Sequence, residues 1–317
     1  MRVNNTLLFL LMALVALSIN ACGSGSDEEG EATADEGAAS LLVEGEEPEV
    51  IAGPFEFTEG PYWHTDGYLL FSNIPANRVN RWSEMDGVDV YLEPSGNSNA
   101  IEADIDGSIL LAQHAGRLSR LTDDGELTTV ADSYEGKRLN SPNDIAVHSS
   151  GTIYFTDPPF GVSDEERELD FSGVYQLSPN GELTVVYDEF EYPNGIVFSP
   201  DESFLYVSDS GTGNIIRFDV ESEGKVSSPE LFANIGEMGS GQGAADGMET
   251  DMEGNLYTTG PQGLIIFDND GNRLNLIEFE EQITNVGWGG ENLNQLFITS
   301  ADNVYRLRVN ATGSKKR

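Results

Sequence analysis

The stretch SPNDIAVHSSGTIYFTDPPFG, from Ser141 to Gly161, contains the phrase that decides the fold. A polar turn precedes a short apolar strand, a Ser-Ser-Gly turn reverses the chain, and a second apolar strand ends in Thr-Asp. Short runs of β-branched and aromatic residues between Gly, Asn and Asp turns are typical of antiparallel strands. Recurrence of this phrase along the chain would indicate a repeat protein.

The phrase occurs six times. The copies are GYLLFSN at Gly67, GSILLAQ at Gly107, GTIYFTD at Gly151, SFLYVSD at Ser203, GNLYTTG at Gly254 and NQLFITS at Asn294. Equivalent positions lie 40 to 52 residues apart, and a third strand and a second turn follow each copy. Six units of three or four strands predict an all-β fold, a six-bladed β-propeller of four-stranded antiparallel blades.

The last unit offers only three strands, from 284 to 309, before a polar tail. A blade with a missing strand would leave an exposed edge. We therefore expect the stretch near Leu41 to Ile51 to supply the fourth strand, so that an N-terminal strand closes the ring.

The first residues have the pattern of an export signal. Residues 1–21 combine Arg2, an apolar run and small residues before Cys22, which predicts a lipoprotein-type signal peptide. The Ile-Asn-Ala-Cys ending resembles the lipobox of bacterial lipoproteins, so we expect lipidation of Cys22. Location would then be the bacterial cell envelope, on the periplasmic or cell-surface side, with membrane contact through the lipid anchor only. A plain secreted protein with an incidental cysteine is the alternative.

Charge divides the remaining chain into two parts. Residues 22–49 contain ten acids and no Lys or Arg, which predicts an acidic disordered tether. Residues 50–317 form the expected propeller domain and hold 45 of the 55 acids but 15 of the 16 basic residues. This balance argues against nucleic-acid binding through phosphates. The acids either attract cations or adapt the surface to a salty habitat, and we favour the second reading for most of them.

Counting back twelve or thirteen residues from the second strand of each unit finds an oxygen-bearing side chain every time. These residues are Glu59, Asn99, Asn143, Asn194, Asp246 and Asn285. In a propeller the innermost strands line the central channel, so these side chains would converge at one face. Carboxylate and carboxamide oxygens suit Ca²⁺, or Mg²⁺ with more water. Alternatively, each residue caps its own turn.

Several motifs together resemble the SMP-30/gluconolactonase/luciferin-regenerating family, in its gluconolactonase branch. The motifs are FTEGPYW at Phe57, NRVNRW at Asn77, YEGKRLNSPND at Tyr134, YFTDPPFG at Tyr154, YPNGIVFSPDE at Tyr192, ADGM at Ala245 and TNVGWGG at Thr284. The resemblance covers residues 54–308. It implies a six-bladed propeller with one divalent metal ion on its axis.

The resemblance also assigns roles to residues. It implies metal binding by Glu59, Asn194 and Asp246, with Asn143 against both the metal and the substrate. It places His114, Arg138 and Asp157 in the substrate pocket, and we expect Asn99 of the register set to join them. One departure concerns the segment Ala115-Gly116-Arg117-Leu118, where that branch often has two adjacent arginines. Substrate choice could differ because of it.

The implied activity is metal-dependent hydrolysis of a sugar lactone. The metal would polarise the ester carbonyl, and Asp246 would be either a ligand only or a ligand and the catalytic base. Ca²⁺ is the first expectation, with Mg²⁺, Mn²⁺ or Zn²⁺ as alternatives, although no His or Cys falls in register for a zinc-selective site. The same site could act on another ester.

Other classes of function have less support. A non-catalytic binding propeller with a structural axial ion stays open, because the fold hosts many roles. The sequence has no Gly-x-Ser-x-Gly elbow for a serine hydrolase. Gly239–Gly243 is glycine-rich but precedes a strand pattern, so we expect a loop beside Asp246 and no phosphate site.

Overall fold

The structure is a computed structural model that describes residues 41–122, 124–221, 224–236, 238 and 243–314. The predicted signal peptide, Cys22 and the first part of the predicted tether lie outside the described residues, as does most of the Gly239–Gly243 loop. No helix within the described ranges is long and apolar enough to cross a membrane.

Strands follow one another in antiparallel sheets of four. A short strand, β1 (Glu49–Ala52), comes first. Blade 1 contains β2 (Thr58–His64), β3 (Tyr68–Asn73), β4 (Arg78–Ser83) and β5 (Gly87–Leu92). Blade 2 contains β6 (Ser98–Ala103), β7 (Ile109–Gln113), β8 (Arg117–Leu121) and β9 (Leu127–Ala131), and a small hairpin follows, β10 (Ser133–Tyr134) and β11 (Lys137–Arg138).

The second half repeats this arrangement. Blade 3 contains β12 (Ile145–Val147), β13 (Ile153–Asp157), β14 (Ser172–Leu177) and β15 (Leu183–Phe190), and blade 4 contains β16 (Pro193–Phe198), β17 (Phe204–Asp209), β18 (Asn214–Val220) and β19 (Val226–Asn234). Blade 5 contains β20 (Met248–Thr250), β21 (Leu256–Gly260), β22 (Gly263–Phe267) and β23 (Arg273–Glu278). Blade 6 contains β24 (Ile283–Gly289), β25 (Gln295–Ser300) and β26 (Val304–Arg308). The predicted six-bladed β-propeller is confirmed.

The ring closes as the strand count predicted. The N-terminal β1 pairs with β26 as the fourth strand of blade 6, with Glu49 opposite Arg306. Leu42 forms a further antiparallel bridge to Val309, and Leu41 is buried in the core of this blade. The chain therefore contacts the propeller from residue 41 onward, and one sheet holds both ends of the domain.

The hydrophobic core lies between neighbouring blades. Tyr257 of blade 5 meets Trp288 of blade 6 edge to face, with ring centroids 5.0 Å apart. The second strand of every blade is almost wholly buried, whereas the outermost strands are largely exposed. This gradient explains why the recurring phrase was the strongest signal, because its strands are apolar on both faces.

Candidate active site

Six polar side chains lie at one end of the propeller, at or just before the start of the innermost strands. This polar ring consists of Glu59, Asn99, Asn143, Asn194, Asp246 and Asn285, the residues that the register predicted. Each of the six is buried, with 3% to 8% of its surface exposed. Buried polar groups of this kind require partners, and the partners define what the ring can do.

Members of the polar ring contact one another across blade boundaries. Asn285 Nδ2 donates to Glu59 Oε2 at 3.0 Å and so joins the last blade to the first. The N–H of Ala100, next to Asn99, donates to the carbonyl of Asn143 at 3.0 Å. Asn194 Nδ2 donates to Ser210 Oγ at 2.9 Å, and Ser210 Oγ donates to the carbonyl of Ala245, next to Asp246, at 2.7 Å. The ring is therefore a set of interacting groups and does not consist of six independent turn caps.

Glycine directly after a ring residue permits this close approach. A Cβ added to Gly195 would lie 2.2 Å from the carbonyl oxygen of Asp246, and one added to Gly247 would lie 1.9 Å from Asn285 Oδ1. Neither space admits a side chain. The glycines of the Pro-Asn-Gly and Asp-Gly-Met motifs thus let the ring residues of successive blades meet.

Burial at the polar ring destabilises the ionised form of its carboxyl groups. Burial raises the pKa of Glu59 to about 7, although hydrogen bonds from Asn285 and the Gly60 N–H oppose the shift. Burial, and then the negative charges of Glu59 and Asp144, raise the pKa of Asp246 well above its usual value. Burial likewise raises the pKa of Asp144 to about 7. A cation among these groups would offset both burial and mutual repulsion.

Asp246 has an oxygen that no described group satisfies. Its Oδ1 is buried without a hydrogen-bond partner among the described residues. No three His, Cys, Asp or Glu side chains in that part of the chain come together as metal ligands. The ring instead combines two carboxylates with carboxamides, a donor set of hard oxygens that suits Ca²⁺. Glu59, Asn143, Asn194 and Asp246 therefore fit a divalent cation.

His114 meets the ring through Asn99. Its Nε2 lies 3.3 Å from Asn99 Nδ2, so in this orientation the amide donates and the imidazole accepts. Burial lowers the pKa of His114 to about 4, which keeps its imidazole neutral at physiological pH. The structure therefore brings two of the predicted substrate-binding residues together.

Arg138 lies nearby but bonds to the main chain. Its Nη1 donates to the carbonyls of Leu139 and Asn140, each at 2.7 Å, and its Nη2 donates to the carbonyl of His114 at 3.4 Å. These contacts tie the β10–β11 hairpin to blade 2. Binding of substrate by Arg138 stays a prediction.

Asp157 is fully buried at the end of β13. Its Oδ2 accepts from the Asn140 N–H at 2.8 Å, and Asn140 Nδ2 donates to its backbone carbonyl at 3.0 Å. Burial raises the pKa of Asp157 to about 7. These contacts brace the segment that leads to Asn143, and a substrate contact of Asp157 stays a prediction.

Three further residues support the polar ring, and the register count missed all three. Asp144 accepts from the Ile145 N–H at 2.8 Å and from the Ile196 N–H of the next blade at 3.2 Å. Hydroxyl groups at the ends of second strands reach the next blade: Thr156 Oγ1 donates to the Asn194 carbonyl at 2.7 Å, and Ser208 Oγ donates to the Asp246 carbonyl at 2.9 Å. The recurring Ser or Thr before the last residue of the phrase was the available signal.

A cavity of about 450 Å³ follows the channel away from the ring. Asp144 and Asn285 lie among its lining residues near the ring, and the turns at Ile105 and Pro200 border it at the opposite end. His114, Arg138 and Asp157 do not line it. The three residues predicted to bind substrate therefore lie outside this cavity.

Known proteins resemble the chain over most of its length. A gluconolactonase of Zymomonas mobilis is 38% identical over 292 residues, which cover 84% of this chain and 82% of the relative. A pentonolactonase of Haloferax volcanii is 27% identical over 253 residues, covering 77% and 81% of the two chains.

The fold comparison agrees. The structure of a gluconolactonase from Xanthomonas campestris superposes with a TM-score of 0.79 at 31% identity, covering 86% of this chain and 93% of that one. The sequence model of the SMP-30/Gluconolactonase/LRE-like region matches residues 57–302, which include the whole polar ring. This chain therefore belongs to the SMP-30/gluconolactonase/LRE-like family.

Proposed function

We propose that this protein hydrolyses a sugar lactone with the help of one divalent cation, Ca²⁺ in the first instance, bound by Glu59, Asn143, Asn194 and Asp246. The observation that carries the proposal is the buried Asp246 Oδ1, which has no hydrogen-bond partner among the described residues and belongs to a ring of oxygen-bearing side chains. Relatives that act on gluconolactone and pentonolactone support the hydrolase class and the sugar-lactone substrate.

Residues of the ring have separable roles in this reaction. When bound, the cation would polarise the ester carbonyl and offset the charge that develops on its oxygen. Asp246 Oδ1 accepts a proton from the attacking water, whose oxygen adds to the carbonyl carbon. The ring C–O bond then breaks, and the proton passes to the departing alkoxide oxygen. The product is the open-chain hydroxy acid, so water is the only co-reactant.

Neighbouring side chains orient the substrate. Neutral His114 accepts from Asn99 at Nε2, so its proton is on Nδ1, and that N–H can donate to a sugar hydroxyl without adding charge to the site. Asn143 presents an amide group on the blade next to that of Asn99, and Asn194 presents one on the blade next to that of Asp246. Fixed positions of this kind lower the entropic cost of bringing water and ester together.

The test is lactone hydrolysis after removal of metal. Purified protein is treated with chelator, and turnover of D-glucono-1,5-lactone and a pentonolactone is measured after adding Ca²⁺, Mg²⁺, Mn²⁺ or Zn²⁺ separately. We expect chelation to abolish turnover and Ca²⁺ to restore it. Absence of hydrolysis of every sugar lactone with every metal would contradict the proposal.

A non-catalytic propeller with a structural ion is the second candidate. The contact of Asn285 with Glu59 across the closure of the ring favours it, because an ion there would also hold blades together. The two candidates differ for Asp246→Asn. If turnover falls only in proportion to the folded fraction, the ion is structural; if turnover falls in fully folded protein, the ion serves chemistry.

Export and lipid anchoring are proposed on the sequence alone. Residues 1–21 and Cys22 have the pattern described above. Metabolic labelling with a fatty acid should modify the full chain and should fail for Cys22→Ser. Labelling that persists in Cys22→Ser would refute the assignment of Cys22.

A further inference from the structure

Two aromatic side chains stand exposed at the same end of the propeller as the polar ring. Phe160, in the loop after β13, is 46% exposed, and Tyr192, just before β16, is 37% exposed. Their rings stack, with centroids 5.7 Å apart and planes at 29°. Such a pair leaves apolar surface in contact with water, which a bound ligand would cover. Its position beside a candidate active site therefore indicates a ligand-binding role.

Hydrogen bonds hold the backbone of both aromatic residues in place. Ser141 Oγ donates to the carbonyl of Pro158 and accepts from the Gly161 N–H at 2.8 Å, so Phe160 lies between two anchored residues. The Tyr192 N–H donates to Asp209 Oδ1 at 2.9 Å. A platform held in this way loses little further conformational entropy when a ligand binds.

The pair lies beside the predicted substrate pocket. Gly161 packs directly on His114, since a Cβ added to Gly161 would lie 2.5 Å from the His114 Cβ. His114 in turn meets Asn99 of the ring. Tyr192 precedes the ring residue Asn194 by two positions. Because the ring is buried and the pair is exposed, a ligand that touches both must extend from the ring toward solvent.

Charge at this end of the propeller disfavours an anionic ligand. Glu59, Asp144 and Asp246 concentrate carboxyl groups at the ring, and the guanidinium of Arg138 bonds to backbone carbonyls. An aromatic face suits the C–H face of an uncharged sugar ring. The part of the ligand that reaches the pair is therefore neutral and ring-shaped.

We propose that Phe160 and Tyr192 form a platform for a second, uncharged sugar ring, so that the preferred substrate is the lactone of a disaccharide aldonic acid. The proposal rests on the proposed lactone hydrolysis, because the lactone end must occupy the polar ring. The buried ring would hold the reacting ester, and the platform would hold the sugar attached to it.

Kinetics with two lactones test the platform. The hydrolysis of cellobionolactone and of D-glucono-1,5-lactone is measured for the wild type, Phe160→Ala, Tyr192→Ala, the ring-preserving Tyr192→Phe, and Met252→Ala. Met252 is an exposed apolar residue in the turn after β20, at the opposite end of the innermost strands, and serves as the control. Binding of cellobiitol, an uncharged disaccharide that cannot be hydrolysed as a lactone, is measured by calorimetry as a readout that does not need turnover.

We expect each alanine variant to lose about three- to tenfold in kcat/KM for cellobionolactone through KM, and less for gluconolactone. Cellobiitol binding should weaken by a similar factor, whereas Tyr192→Phe and Met252→Ala should behave as the wild type. Equal losses on both lactones, or no loss on either, would overturn the platform while lactone hydrolysis stands. If the wild type hydrolyses no sugar lactone with any metal, the proposed function falls, and unchanged cellobiitol binding in the alanine variants then removes the platform as well.

Discussion

Asp246 and Asp209 are both buried aspartates of neighbouring blades, but their oxygens have different surroundings. Asp209, at the end of β17, accepts from the N–H groups of Tyr192 at 2.9 Å, Gly211 at 3.0 Å and Glu191 at 3.1 Å. Asp246 keeps Oδ1 without a partner among the described residues and faces the charges of Glu59 and Asp144. N–H donors thus satisfy the Asp209 carboxylate, whereas one oxygen of Asp246 has no partner in the described part of the chain.

This difference supports a structural role for Asp209 and the functional role that we propose for Asp246. N–H donors pay much of the desolvation cost of Asp209, so it can fix the loop that holds Tyr192. Asp246 needs either a proton or a cation to be stable in the folded state. Removing the Asp246 carboxylate should therefore lower activity and spare stability in metal-free protein, whereas removing the Asp209 carboxylate should lower stability and spare activity.

Asp246→Asn should have the largest effect. The substitution removes a cation ligand and the proposed proton acceptor with little change in shape, so kcat/KM for a sugar lactone should fall by at least about 10²- to 10³-fold. Steady-state kinetics at saturating Ca²⁺, with the folded fraction checked by circular dichroism, measure this. Asp209→Asn is the matched control and should keep most of its turnover per folded molecule; equal losses in the two variants would erase the distinction.

The pH dependence of stability should follow the ring carboxyls in chelated protein. Burial raises the pKa of Glu59 from 4.5 to about 7, so the folded state holds its proton to higher pH than the unfolded state does. Stability is therefore greatest below about pH 4.5 as far as this group is concerned and falls as pH rises through about 7, by at most about 3 kcal/mol. Urea unfolding of the wild type and Glu59→Gln at several pH values measures the difference.

Glu59→Gln should flatten the pH dependence of stability. In the wild type, Ca²⁺ should restore the stability that is lost at high pH, because it binds the folded state. Asp144 and Asp157 have raised pKa values too, so some slope should remain in the variant. An identical slope in the two proteins would show that Glu59 does not carry the unfavourable charge.

The sequence predicted the fold and the ring from one property, the repeat. Turn residues and apolar strands recur at a nearly constant interval, so counting along the chain placed Glu59 and Asp246 on equivalent strands without any structure. Closure by an N-terminal strand followed from the missing strand near 309. These are properties of single blades, which local sequence specifies.

Counting repeat positions along the sequence did not predict the contacts between blades. Asp144 bonds to Ile196 of the next blade, and Arg138 bonds to the carbonyl of His114 in the preceding one. Which atom a side chain reaches depends on how two blades pack, and only the recurring Ser or Thr of the phrase marks such a contact at a fixed position. Hence the members of the polar ring could be predicted, whereas partners such as Asp144 could not.

Asp209→Asn should cost moderate stability. The amide keeps one acceptor oxygen but places an N–H₂ group where backbone N–H donors converge, so unfolding free energy should fall by about 1 to 3 kcal/mol. In chelated protein near neutral pH, Asp246→Asn should instead leave stability unchanged or increased, because it removes an unsatisfied buried carboxyl group. Urea midpoints of the two variants compare these effects, and a destabilised Asp246→Asn without metal would contradict the contrast.

Thr156→Val should have the smallest effect, and it tests how the ring is oriented. The Thr156 hydroxyl accepts from the Asp144 N–H at 3.0 Å and donates to the Asn194 carbonyl at 2.7 Å, so it joins the loops of two proposed ligands. Valine keeps the shape and loses both bonds, which should lower stability by about 1 to 2 kcal/mol. Ca²⁺ affinity, measured by calorimetry, should fall as well, and Thr156→Ser should preserve it. Ala112 occupies the corresponding position of blade 2 and has no hydroxyl, so this blade does without the two bonds. A Thr156→Val variant that lost stability but kept its Ca²⁺ affinity would show that backbone packing alone orients the polar ring.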